Sequence, residues 1–259
     1  GILITAGDTL RLTGYDLKKG IYTDIDADID VCGSIVVNAR LFGEMIRRMP
    51  DGRVSFSVDE NENVYLKCGK NEYKFMSIST EDYPEIPTID NGSSMTMPMA
   101  ILKSMINQTI FAVADTDVRP IYTGALFEVE EKELTIVAVD GYRLAKRVEK
   151  LNDAMLKKSS FVVPGSSLSD VERICTEGEG NVDITVGAKH ISFSIGGTVV
   201  ISRRLEGEFM NYRKSIPTEF EHKITVSKSE FMTSIERVAL IISEKNNSPV
   251  RMTFNDGYI

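Results

Sequence analysis

A long internal repeat constrains this chain more than any other feature. Residues 34–50, SIVVNARLFGEMIRRMP, read as strand, turn and helix, and residues 160–175, SFVVPGSSLSDVERIC, read the same way. Alternating strands follow each: Val54, Phe56 and Val58 in the first copy, Val182, Ile184 and Val186 in the second. Each copy closes on an acidic and aromatic turn, EDYP at 81–84 and EFMNY at 208–212. Ahead of the helices, GILIT at 1–5 and LRLTGYD at 10–16 match GALFE at 124–128 and LTIVAVD at 134–140. A third echo pairs MPMAILKSMI at 97–106 with VSKSEFMTSI at 226–235, so that Leu102 falls on Phe231, Ile106 on Ile235 and Pro120 on Pro249. The period, roughly 125 residues, is far beyond the ~20–50 residues of a solenoid unit and denotes whole domains of one fold in tandem.

Three domains are therefore expected: 1–90, incomplete at its N-terminus; 91–219, central; and 220–259, the start of a third. The boundaries fall in polar loops, near Asp90-Asn91-Gly92-Ser93-Ser94 and near Pro217-Thr218-Glu219. Both ends look cut. The chain opens directly on a strand, and Asp256-Gly257 is a hairpin signal whose returning strand has barely begun. An internal piece of a longer protein is the expectation.

The fold class is α+β, with antiparallel strands and two helices per domain. Helices are expected over 38–49, 98–113, 166–177 and 227–242. In the first, Leu41, Met45 and Met49 should face inward. In the second, Leu102, Met105, Ile106, Thr109, Ile110 and Val113 have the three-four spacing of one buried face. The fourth should bury Phe231, Ile235, Val238 and Ile242. Bases stand on the other faces: Arg40, Arg47 and Arg48, then Lys103, Arg173, Lys228 and Arg237. Two readings of them stay open, an ordinary solvated surface and a basic lining shared across domains.

Composition narrows the function classes. Of 259 residues 42% are hydrophobic, enough for real cores. The formal charge of −8 argues against a simple nucleic-acid binder, which usually carries a basic surface. Residues 1–90 hold 16 acids against 10 bases, while 220–259 hold 5 of each. Cys32, Cys68 and Cys175 are odd in number and far apart, which argues for a reducing compartment, the cytoplasm. His190 and His222 are too isolated for a zinc site, so neither metal nor cofactor is expected. No apolar run approaches the ~18 residues of a membrane span, and the sequence shows no basic amphipathic leader.

Enzyme chemistry finds little footing. Asp140 lacks a paired carboxylate, because Glu128, Glu130 and Glu131 look solvated. Pro164-Gly165-Ser166-Ser167 precedes a helix but lacks the Gly-Lys-Ser/Thr of a P-loop, so Ser166 or Ser167 is expected to cap that helix. Gly196-Gly197 suits a hairpin turn, and Cys175 a buried, inert thiol. No catalytic residue is assigned.

The segments DVRPIYTGALFE at 117–128, TIVAVDGYRLA at 135–145, FVVPG at 161–165 and LEGEFMNYR at 205–213 resemble the bacterial DNA polymerase III beta subunit family, the sliding clamps. The resemblance runs through the whole chain, without that family's first strand and helix and most of its third domain. It implies a non-catalytic processivity factor, built from head-to-tail homodimers whose six domains close a ring around duplex DNA, sheets outside and helices inside. A ring holds DNA topologically and needs only weak, sequence-independent phosphate contacts. Arg47, Arg48, Lys103, Arg173, Lys228 and Arg237 become candidate lining bases, and Arg119 a candidate DNA contact in the central domain.

The resemblance also implies a pocket for short peptides of the polymerase alpha subunit, the clamp loader, repair polymerases and other clamp-motif proteins. By motif it comprises Tyr122, Val139, Gly141, Tyr142, Arg143, Leu144, Met210, Lys214 and Ser215. Val139, Leu144 and Met210 offer an apolar floor, and Arg143 and Tyr142 a rim able to hydrogen-bond a glutamine-type anchor. Tyr142 stands where a His is commoner in the family, and Met210 where a Pro often stands. The implied dimer contact sets Tyr73 and Phe75 against Leu240 and Ile241. A second reading is a repeat-domain protein whose groove binds a protein or small ligand, or a weak hydrolase on that scaffold.

Overall fold

The computed structural model describes residues 1–89, 92–116, 119–151, 158–240 and 250–259. Asp90 and Asn91 of the expected boundary loop, Asp117 and Val118, Ile241, Ile242 and Pro249 lie outside the described residues. The chain forms two compact units, Gly1–Met210 and Asn211–Ile259.

In the first unit, alternating apolar runs form β1 (Ile2–Ala6), β2 (Leu10–Tyr15), β3 (Lys19–Ile25) and β4 (Gly33–Val37), followed by α1 (Ala39–Arg48). Three further strands follow: β5 (Val54–Val58), β6 (Asn63–Cys68) and β7 (Asn71–Met76). Then come β8 (Ser93–Pro98), α2 (Met99–Asn107), β9 (Gly124–Glu130), β10 (Glu133–Val139), β11 (Leu144–Lys150) and β12 (Ser159–Pro164). The series ends with α3 (Gly165–Ile174), β13 (Asn181–Val186), β14 (His190–Ile195) and β15 (Thr198–Arg203).

The repeat is visible in the topology. Strand order β4-β1-β2-β3 in the first copy recurs as β12-β9-β10-β11 in the second, and β5-β6-β7 recurs as β13-β14-β15. All of these pairings are antiparallel. The two copies also share a sheet. β3 pairs with β15 from Thr198↔Thr23 to Ser202↔Lys19, giving one eight-stranded sheet ordered β4-β1-β2-β3-β15-β14-β13-β8. Residues on either side of position 90 therefore belong to one unit. A Lys19–Asp170 ion pair and a 3.0 Å bond between the Thr198 and Thr23 hydroxyls reinforce the join.

The main core lies in the second copy. Leu102, Met105 and Ile106 of α2 and Leu168 and Val171 of α3 are buried with Phe127, Phe161 and Phe193 from the sheets. Each such side chain contributes about 1.5–3 kcal/mol on burial. α2 and α3 pack on one another, with Asn107 donating to Glu172 at 3.3 Å.

The first copy differs. Its core is smaller, Ile4, Val37 and Val64 with Phe42, Phe56 and Phe75 against them. α1 turns Phe42 inward, whereas Leu41, expected inside, is 43% exposed. The reason is the neighbour. α3 has α2 and β13 has β8, but among the described residues nothing comparable covers α1 or the outer edge of β5. A groove of about 670 Å³ lined by Phe42, Ile46, Val54 and Phe56 stays open there.

Two turns follow their glycines. Gly196 and Gly197 have φ of +54° and +85° and join β14 to β15, as a two-residue hairpin requires. Asp256-Gly257 likewise turns the chain between the bridged pair Asn255 and Tyr258. The expected capping by Ser166 or Ser167 is corrected. α3 starts directly after Pro164 with no side-chain cap, so both serines lie inside its first turn. Ser167 is buried, its hydroxyl 2.7 Å from that of Ser202.

The second unit holds α4 (Lys228–Ala239), opened by the Ser227 hydroxyl accepting from the Glu230 N–H at 3.5 Å. Phe231 and Ile235 are half-buried, but Val238, expected inside, is exposed. Among the described residues of this unit no sheet backs the helix, so its apolar stripe is only partly covered.

Candidate partner-binding surface and basic helix faces

The turn between β10 and β11 organises the candidate partner site. Val139 and Leu144 end the ladder as a paired rung, the first buried and the second half-buried. Four residues, Asp140, Gly141, Tyr142 and Arg143, close the turn. Gly141 has φ +95°, a conformation that costs any residue with a Cβ. Asp140 folds back over the turn. Its Oδ1 accepts the backbone N–H of Tyr142 at 2.9 Å and of Arg143 at 3.0 Å, and its Oδ2 accepts Arg143 Nε–H at 2.7 Å. The two backbone bonds, with the Arg143 guanidinium behind them, hold the Asp140 carboxyl below the usual carboxylate range.

Arg143 is thereby aimed. Its guanidinium carbon sits 5.8 Å from the ring centre of Phe111, within cation–π range. Phe111 belongs to a short 3-10 turn, Ile110–Ala112, that rests against β10 and β11. At 56% exposure it is an uncovered aromatic beside a fixed cation. Tyr142 projects into solvent, fully exposed. Tyr122 is half-buried, with its carbonyl accepting from Ala114 N–H at 2.8 Å and its ring edge-on to Phe209 at 5.4 Å. Arg119 is exposed, 6.0 Å from the Tyr122 ring. Met210, next to Phe209, is half-buried. A cavity of about 240 Å³ shares Phe209 as a wall and is lined also by Leu126, Phe161 and Arg204.

The turn, β10, β11 and the Phe111 segment thus form one surface carrying Gly141, Tyr142, Arg143 and Leu144, while Val139, expected in an apolar pocket floor, is buried at the end of β10. Lys214 and Ser215 belong to the second unit, exposed on a 3-10 turn at Tyr212–Ser215. Sequence reasoning missed Phe111 and Phe209 and considered Asp140 only as an acid or base. The Asp-Gly pair at a strand end was the available signal for Asp140; nothing in the pattern marked Phe111.

The candidate lining bases sit as follows. Arg47 and Arg48 end α1, Arg173 lies in the last turn of α3 and Arg237 in that of α4. A base there also complements the helix dipole. Arg173 is 3.7 Å from Asp170, and Arg237 donates Nε–H to the Thr233 carbonyl at 3.3 Å. Lys103 is half-buried in α2, and Lys228 opens α4 exposed. Tyr73 and Phe75 lie on β7, an edge strand, facing the same way as Leu66 and Val64 of β6. Phe75 packs on its own core. Leu240 is exposed after α4, and Ile241 lies outside the described residues. Among the described residues no cluster of His, Cys, Asp or Glu forms a metal site. No helix there is long and apolar enough to cross a membrane.

Tandem α+β copies sharing one antiparallel sheet define a repeat-domain protein. Residues 1–87 match the family model described as the DNA polymerase III beta subunit, N-terminal domain, and residues 96–211 the one described as its central domain. The beta sliding clamp of Bacillus subtilis is 31% identical over 262 residues, covering 98% of this chain and 69% of that protein. That of Halalkalibacterium halodurans is 32% identical over 272 residues, covering 100% and 71%. The crystal structure of the Bacillus subtilis clamp superposes with a TM-score of 0.88 at 31% identity, covering 96% of this chain and 68% of that one. The Pseudomonas aeruginosa clamp bound to griselimycin gives 0.86 at 26% identity, covering 94% and 67%. The chain belongs to the DNA polymerase III beta subunit family, the beta sliding clamps, which are non-catalytic processivity factors.

Proposed function

We propose that this chain supplies the first, central and beginning third domains, with limits 1–90, 91–219 and 220–259, of a homodimeric ring that encircles duplex DNA. The observation that carries the reading is the sheet shared by the two copies, because a wall closed from tandem domains needs a strand of one to pair with a strand of the next. Arg47, Arg48, Lys103, Arg119, Arg173, Lys228 and Arg237 face the DNA phosphates. Tyr73 and Phe75 meet Leu240 and Ile241 of a second copy. The acidic balance fits, since like charge keeps DNA off the outer surface.

The surface around the 140–143 turn, with Tyr122 and Met210, takes peptides of the polymerase alpha subunit, the clamp loader and repair polymerases; for Lys214 and Ser215, which belong to the second unit, the same role is proposed from the family resemblance alone. The three cysteines are all free, in keeping with a cytoplasmic setting.

The test is retention on DNA. The full-length native protein is loaded on nicked circular DNA by its clamp loader, the circle is cut, and bound protein is followed by gel filtration. Persistence on circles with rapid loss after cutting is expected. Equal retention on circular and linear DNA, or none on either, would overturn the ring reading.

A further inference from the structure

We propose that Asp140 is a positioning residue for partner binding: it fixes Arg143 over Phe111 so that Nη1 and Nη2 meet an acceptor on the bound peptide. The inference rests on the reading of the 140–143 surface as a partner site and adds to it a division of labour within the turn. Three observations carry it. The Asp140 carboxylate spends its hydrogen bonds on the turn itself, two on backbone N–H groups and one on Arg143 Nε–H. Arg143 gives that one nitrogen to Asp140, and among the described residues its two terminal nitrogens have no protein acceptor. The guanidinium carbon then sits over the exposed Phe111 ring, 5.8 Å from its centre, a cation–π contact that limits its remaining freedom.

An arginine on a mobile stem must be immobilised when it binds, and that ordering weakens association. Here the turn does the ordering beforehand. The free edge of the guanidinium is a two-donor fork suited to a carboxylate or an amide carbonyl. Phe111 adds an apolar contact at its side. The acceptor it would meet is the glutamine-type anchor that the family resemblance implies, and Leu144 is half-buried nearby.

Griselimycin, which is bound by the Pseudomonas aeruginosa clamp, and a fluorescein-labelled peptide carrying one glutamine followed by two apolar residues serve as probes. Affinities are measured by calorimetry and anisotropy on the full-length native protein and on its D140N, R143A and double variants, each first checked by thermal unfolding. Asn keeps an acceptor for the two backbone N–H groups but loses the charge that holds Arg143. D140N should weaken the peptide about five- to tenfold, the scale of ordering one long side chain. R143A should weaken it more, and adding D140N to R143A should change nothing further. The Arg143 Nε–H signal in a nitrogen-15 spectrum should shift in D140N. Unchanged affinity in D140N beside a loss in R143A would overturn the positioning role and leave the site intact. A D140N loss that persists in full on the R143A background would also overturn it, since Asp140 would then act through the backbone. Wild-type affinity for both probes in R143A would overturn the reading of the site itself.

Discussion

Single residues already separate what is buried from what is available. Cys68 and Cys175 are buried, and burial raises the Cys175 thiol above its ordinary range, while Cys32 is exposed. In the native state a maleimide should label Cys32 alone, with Cys68 and Cys175 reacting only after unfolding; peptide mapping reads the sites. Asp59 and Asp140 give a pH prediction. Hydrogen bonds from Asn63 lower the first, and those from the Tyr142 and Arg143 backbones the second. A depressed folded pKa stabilises fully above the unfolded value, about 3.9 for Asp, and the contribution is lost as pH falls through the folded value. Urea midpoints should therefore hold down to about pH 4.5 and decline below it, and D140N should flatten that decline.

Helices and strands show where the sequence pattern was legible. Leu102, Met105 and Ile106 announced the face of α2 because that face meets a complete core. Leu41 misled because a helix stripe is broad, and whether it or Phe42 turns inward depends on what packs alongside. The family motif at 135–145 marked Gly141, Tyr142 and Arg143, but not the bond from Asp140 to its own Arg143, which requires side-chain geometry. Leu102→Ala should destabilise the first unit by about 2–5 kcal/mol in denaturant titration, as for other fully buried leucines. Gly124→Ala should be worse than its size suggests. A Cβ there would overlap the Val163 carbonyl and press on Leu205, so the β9–β12 pairing must yield. Loss of cooperative unfolding in that variant, against a near-native Gly7→Ala control where a Cβ meets open space, would check it.

At the scale of the molecule, the repeat was plain in the sequence but its main consequence was not. β3 and β15 carry side chains 175 positions apart, as Thr23 and Thr198 do, and strand alternation says nothing about which distant edge a strand will find. The pairing joins the two copies within one compact unit, residues 1–210. Ile21 lies on β3 yet packs against the core of the second copy. Ile21→Asp should therefore split a single urea transition of that unit into two, the first copy melting earlier, with circular dichroism and intrinsic tyrosine fluorescence no longer coincident.

The shared sheet also has a mechanical meaning. Five residue pairs lace β3 to β15, as many as lace β1 to β2 inside one copy. The junction between copies is then no fault line. A load applied across the strands passes through it as through the interior of either copy, and the sheet deforms as a continuous plate rather than as beads hinged on a string.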